Sequence, residues 1–333
     1  MQECTGRRPL EQTVPSTRHI LHLATLCIAL GGAAHADAQR VDFTPGDSDA
    51  FTAPGLLQGV RATEAQCAAA LPAAVWVRTA GGAAECLRYW HAGLAPGANP
   101  KTLFYFSGDV LAGDLVLDPN YTTATPASLQ RRVDAWQARL GVPYVFIARP
   151  GTYGSSGEHK QRRRALESEL ISLAVDEIKR RHGIDAPALA GQSGGGHVVA
   201  ALLTLRADVE CAVPASAVSS PRMRWKMKGW KQDSTGYDDS FEPTEALERM
   251  RAPPSLRVFV LGDPMDTNVP WVTQTVLADR LKARGVAVAL VEAEGSGPTR
   301  HGLAQSAMTL AAMCMKGSST PEILQRAAQR LKG

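Results

Sequence analysis

The sequence predicts an α/β fold: a mostly parallel central sheet with helices on both faces. Short apolar runs with the character of buried strands recur along the chain, separated by longer stretches whose apolar residues return at helical spacing. Strands that alternate with helices in this way build a parallel sheet covered on both sides. A third observation lies within 187–204, where a strand-like run ends in Gly191-Gln192-Ser193-Gly194-Gly195 and an apolar helix follows. Glycines around a serine at such a junction mark a turn too tight for side chains.

In chain order, residues 1–36 read as a secretory signal peptide that stands outside the fold. Arg18 and His19 precede the apolar run 20–30, and small residues lead to a cleavage site after Ala36, or after Ala38 as second choice. The alternative is a membrane anchor or core helix, but this run falls short of the roughly 18 residues that cross a bilayer. Residues 37–70 are polar and rich in Gly, Pro, Asp and Thr, which predicts an extended segment on the surface. Residues 71–333 follow as one domain.

Within that domain, 75–79 and 85–90 form two strands around Gly81-Gly82, a hairpin. Strands 101–107 and 143–148 flank the amphipathic helix 128–140, a β-α-β unit that implies parallel pairing. Helix 164–181 stops at His182-Gly183. After the serine turn and its helix comes strand 209–213, and then the rhythm breaks. The stretch 221–250 has no strand alternation and interleaves Arg222, Arg224, Lys226, Lys228 and Lys231 with Trp225 and Trp230; one reading is a solvated surface insertion. Strand 256–261, helix 271–284, strand 287–292 and helix 302–315 complete the domain.

Composition narrows the function. With 44% hydrophobic and 20% charged residues the chain is an ordinary globular one, and a net charge of +4 is too small to argue for nucleic acid. No apolar run after residue 40 approaches a membrane span. Cys4 and Cys27 belong to the presequence, leaving Cys67, Cys86, Cys211 and Cys314, an even number for an oxidising compartment. Cys67 and Cys86 flank a strand, while Cys211 starts a strand and Cys314 ends the last long helix, which suggests those two pairings; four buried thiols are the alternative. None has metal-ligand spacing, and no cofactor is expected.

The chemistry centres on Ser193. A serine hydroxyl is a weak nucleophile at neutral pH, so it needs a base within reach and a third group to orient that base. Beyond His197, which lies one turn into the following helix and points along it, the only later histidine is His301. It follows the last strand in a Gly-rich loop and is the candidate base. The acid comes from the loop Gly262-Asp263-Pro264-Met265-Asp266-Thr267-Asn268, where Asp266 is preferred to Asp263. The order Ser193, Asp266, His301, each after a strand, matches one arrangement of this machinery.

On these residues the region 75–315 resembles a secreted α/β-hydrolase, with the loop 148–157 similar to the one after the fourth strand in that family. The resemblance implies an oxyanion hole built from the N–H of Gly194 and, in Ser107-Gly108-Asp109, the N–H of Asp109. Serine at 107 departs from the histidine usual there and leaves the second donor open. Tyr153 and Gln192 are further candidates for contact with substrate or oxyanion. The resemblance also implies that 221–250 lies where such hydrolases carry a small cap-like insertion, whose Met, Trp and basic residues would shape an acyl pocket or attract a substrate carboxylate. The Gly-rich 148–157 stretch lacks the Lys of a phosphate-binding loop.

The expected protein is therefore a secreted or periplasmic serine esterase acting on a small-molecule ester. A prolyl-oligopeptidase-like peptidase or amidase acting on short peptides is the alternative, disfavoured by the lack of a separate propeller or helical gate. A non-catalytic binding protein on the same fold would lack a triad member, and none is missing.

Overall fold

The computed structural model describes residues 39–329, and the reading of residues 1–36 as a signal peptide lies outside them. Eight strands form the main sheet: β1 (Ala74–Arg78), β2 (Ala84–Ala92), β3 (Asn99–Phe106), β4 (Tyr144–Ile147), β5 (Ile184–Gln192), β6 (Cys211–Ala215), β7 (Arg257–Gly262) and β8 (Ala287–Glu292). Their order across the sheet is β8, β7, β6, β5, β3, β4, β2, β1. Pairing is parallel from β8 to β4, while β2 runs antiparallel to both β4 and β1. The mostly parallel α/β architecture expected from the alternation is the one observed.

Seven helices matter to the site: α1 (Pro126–Leu140), α2 (Ala165–His182), α3 (Gly194–Leu205), α4 (Pro221–Met227), α5 (Trp271–Ala283), α6 (Ala304–Met315) and α7 (Thr320–Gln329). From β3 the chain crosses outward to β4, then returns past β3 to reach β5. Right-handed crossovers in opposite directions put α1 and α2 on opposite faces. Leu129 and Val133 of α1 accordingly share a core with Leu310 of α6 and Ile323 of α7. Ile171 of α2 packs with Val198 of α3 and Leu277 of α5 on the other face. The direction reverses between the carboxyl ends of β3 and β5, the usual ligand position in such sheets.

Local chemistry explains where boundaries differ from the sequence reading. Helix α1 begins at Pro126 rather than residue 128 because Thr125 and Ser128 form reciprocal cap bonds and proline suits the first helical position. Helix α6 begins at Ala304 rather than 302 because Gly302 and Ser296 exchange backbone hydrogen bonds of 3.0 Å, closing the preceding loop. The segment 37–70 is less extended than expected. Helices Ala53–Gln58 and Glu64–Ala68 start at Thr52 and Thr63 caps, and the strand Val41–Asp42 pairs in parallel with Val60–Arg61. Phe43, Phe51, Leu56 and Val60 are buried, and their burial draws the segment onto the domain.

Two disulfides are present, Cys67–Cys86 and Cys211–Cys314, with Cα separations of 5.5 and 6.1 Å. The second ties β6 to the end of α6. No helix among the described residues is long and apolar enough to cross a membrane.

Candidate active site

Ser193 sits between β5 and α3 with φ 60° and ψ −118°, a conformation that costs a non-glycine residue about 1–3 kcal/mol. Its surroundings hold it there. The Ser193 N–H donates to Ala215 O at 2.9 Å, and its carbonyl accepts from His197 N at 3.0 Å. The flanking glycines answer to close approach: a Cβ on Gly191 would lie 2.3 Å from Gly195 O, and one on Gly195 would lie 2.1 Å from Phe106 O. Helix α3 can therefore pack directly onto the end of β3.

The acid loop after β7 separates its two carboxylates. Asp266 Oδ2 lies 2.7 Å from His301 Nδ1, while its Oδ1 accepts from the N–H groups of Asn268 and Val269 at 2.8 and 2.9 Å. Asp263, buried, accepts from Met265 N at 2.7 Å, Gly295 N at 2.8 Å and Arg300 Nε at 2.8 Å. Burial alone would raise the Asp263 carboxyl, but the Gly295 N–H and the Arg300 guanidinium outweigh it and hold it below the usual range. Asp266 thus faces the histidine and Asp263 the neck of the histidine loop.

With Nδ1 on Asp266, His301 Nε2 is buried and makes no hydrogen bond among the described residues. The backbone of His301 is held from the side of Ser193: its carbonyl accepts from Gln192 Nε2 at 3.1 Å and Ser216 Oγ at 2.9 Å. Gln192, expected to touch substrate or oxyanion, spends one amide N–H on this carbonyl. Ser216, at φ 42°, was not visible as a site residue because its role depends on a loop from another part of the chain.

Asp109 follows β3 by three residues, and its carboxylate lies against Gly194, where a Cβ would be 2.0 Å from Oδ1. It is gripped by Arg149 Nη1 at 2.8 Å, by Arg162 at 3.0 Å and by Arg163. Arg149 also forks onto Glu167 through Nε at 2.8 Å and Nη2 at 3.2 Å, and Arg163 pairs with Asp233. Burial would raise the Asp109 carboxyl, yet Arg163, Arg162 and Arg149 hold it well below the carboxylate range. Beside it, His159 Nε2 accepts from Val110 N at 3.2 Å; burial and the same arginines keep this imidazole neutral. Sequence reasoning missed this network. Its one signal was Arg162-Arg163-Arg164 just before a helix, where cations oppose the helix dipole and call for acidic partners.

The N–H of Gly194, the first residue of α3, has no intrahelical acceptor. That of Asp109 donates to none of the described residues.

The insertion 221–250 packs beside the acid loop. Arg224 donates to Asn268 O and Oδ1 at 3.1 and 2.7 Å, and Lys228 donates to Thr267 O. His197 Nε2 lies 3.0 Å from Phe241 O, and burial lowers that imidazole to about 4. These contacts turn Arg224 and Lys228, two of the segment's cations, toward the loop that carries Asp266.

On the other flank, a cavity of about 210 Å³ lies between β3, β4, α1 and α6. Ser107 and Ala304 form part of its wall, and Tyr153 is another. Tyr153 packs edge-on to Phe146 with ring centroids 5.7 Å apart, and burial pushes its hydroxyl up to about 12.

No family model matches the chain, and no curated protein does. Among solved structures it is similar to Est1E from Butyrivibrio proteoclasticus with ferulic acid bound, at 13% identity and a TM-score of 0.49 over 78% of this chain and 100% of that one. It is also similar to the Pyrococcus horikoshii acylaminoacyl peptidase, at 14% identity and 0.47, over 78% and 42% of the two chains. The Pyrococcus furiosus esterase Pf2001 stands at 14% and 0.47, over 76% and 91%. Likenesses this distant transfer no activity. The sheet order, the strained serine between β5 and α3 and the layered helices are those of the α/β-hydrolase fold.

Proposed function

We propose that this protein is a serine hydrolase that cleaves a carboxylic ester through an acyl-enzyme. The observation that carries the reading is the His301–Asp266 pair of 2.7 Å, with the remaining ring nitrogen buried and without a hydrogen-bond partner among the described residues, while the His301 carbonyl is tethered by Gln192, the last residue of β5. In this reading His301 Nε2 takes the proton of Ser193 Oγ as the oxygen attacks the ester carbonyl. Asp266 holds the tautomer and stabilises the imidazolium. The N–H groups of Gly194 and Asp109 receive the oxyanion. Because three arginines balance Asp109, Glu167 and Asp233, the Asp109 carboxylate does not confront that charge uncompensated. Collapse returns the proton to the leaving alcohol, and water, activated by the same histidine, releases the acid.

Two disulfides favour an oxidising compartment, consistent with export. The test is fluorophosphonate labelling of the wild type and Ser193→Ala, followed by a panel of alkyl esters and peptide anilides. Labelling lost in Ser193→Ala, with ester turnover in the wild type, is the expected result. Equal labelling of both proteins removes Ser193 as nucleophile, and turnover of anilides alone moves the enzyme to the peptidases.

A further inference from the structure

The walls of the cavity beside the serine are unusually aromatic. Tyr105, Trp136, Tyr144, Phe146 and Tyr153 line it, and four of them pack on one another: Tyr105 lies 6.5 Å from Tyr144 at 27° and 6.1 Å from Phe146 at 36°, and Phe146 lies 5.7 Å from Tyr153. Such rings favour a further ring in offset or edge-on contact over an alkyl chain of equal area. Size agrees. An apolar cavity of about 150 Å³ takes up benzene, so about 210 Å³ accommodates one ring with a short linker.

Position and polarity agree as well. Ser107 lies at the end of the cavity and adjoins Gly108, where a Cβ would be 3.3 Å from Ser193 Cβ. The Ser107 hydroxyl is buried and has no hydrogen-bond partner among the described residues. A buried hydroxyl left in that state is costly. Tyr144, by contrast, already donates to Met308 Sδ at 3.4 Å.

We propose that this cavity binds a planar aromatic ring carried by the substrate, joined by a short linker to the ester that Ser193 attacks. The inference rests on Ser193 being the nucleophile, but binding can be read without turnover. Full-length Ser193→Ala is titrated calorimetrically with the methyl esters of benzoic, phenylacetic and 3-phenylpropionic acids, each against an alkyl ester of equal carbon number. At least one of the aryl-acid methyl esters should bind tenfold or more tightly than its counterpart without a ring. Trp136→Ala, which removes a half-buried ring and leaves the core in place, should bring that preference below threefold. Equal affinity for the aryl and alkyl members of every pair overturns the proposal, as does a preference that Trp136→Ala leaves intact. Ring preference in Ser193→Ala together with unchanged fluorophosphonate labelling would instead sink the nucleophile assignment and leave the cavity's ligand standing.

Discussion

Arg300 meets Asp263 at the neck of the histidine loop, Nε to Oδ2 at 2.8 Å, so the residue before His301 is anchored three residues before Asp266. The two acid loop contacts run side by side, Asp263 to Arg300 and Asp266 to His301. The first fixes the loop and the second fixes the ring.

Asp263→Asn should therefore lower kcat about tenfold by loosening His301, while leaving Asp266 available. Asp266→Asn should cost far more, on the order of 10⁴ in kcat, as loss of the orienting acid does in such triads. Steady-state kinetics on a reactive ester checks both, and equal losses would mean that the two carboxylates share the role.

Asp109→Asn leaves Arg149, Arg162 and Arg163 buried against only Glu167 and Asp233. Breaking one partner of a buried ionic cluster costs about 3–5 kcal/mol. Urea denaturation should show a loss of that size, and a loss below about 1 kcal/mol would mean that the network is not load-sharing around the carboxylate.

Glu242 supplies a pH signature. Burial raises its carboxyl to about 7, although the Arg222 N–H at 2.7 Å pulls the other way. A carboxyl raised in the folded state contributes stability that is fully present below the unfolded value near 4.5 and is lost as pH rises through about 7. Glu242→Gln should accordingly raise the thermal midpoint more at pH 8 than at pH 5. A difference between variant and wild type that does not grow across this interval would contradict the assignment.

The disulfides should differ in weight. Cys211–Cys314 closes 103 residues and Cys67–Cys86 closes 19. In the chain-entropy account the longer loop is worth about 1.5 kcal/mol more. Replacing each pair by serines and comparing guanidinium denaturation tests the ranking.

Much of this fold is legible in the sequence because its determinants are local. The strand runs and helical periods lie within single elements, and the serine turn announces itself through Gly191, Gly194 and Gly195, all within five residues. Asp266 and His301 were reachable by chain order and loop position. The Arg149–Asp109–Arg163 network was not, because each pair joins residues at least 40 positions apart, and a basic run looks like a solvated surface. The aromatic cavity was equally hidden, since its rings come from different elements and follow no period. The helices Ala53–Gln58 and Glu64–Ala68 escaped because five or six residues carry too little periodicity to register, leaving only the caps at Thr52 and Thr63 as signals.

The bond from Gln192 to the His301 carbonyl gives His301 and Ser193 a common reference point. His301 arrives from the far side of β8, three strands away from β5, where small changes in sheet twist would accumulate. Because the residue beside Ser193 holds it directly, the loop that carries His301 is fixed to the end of β5 itself and not only through β6, β7 and β8.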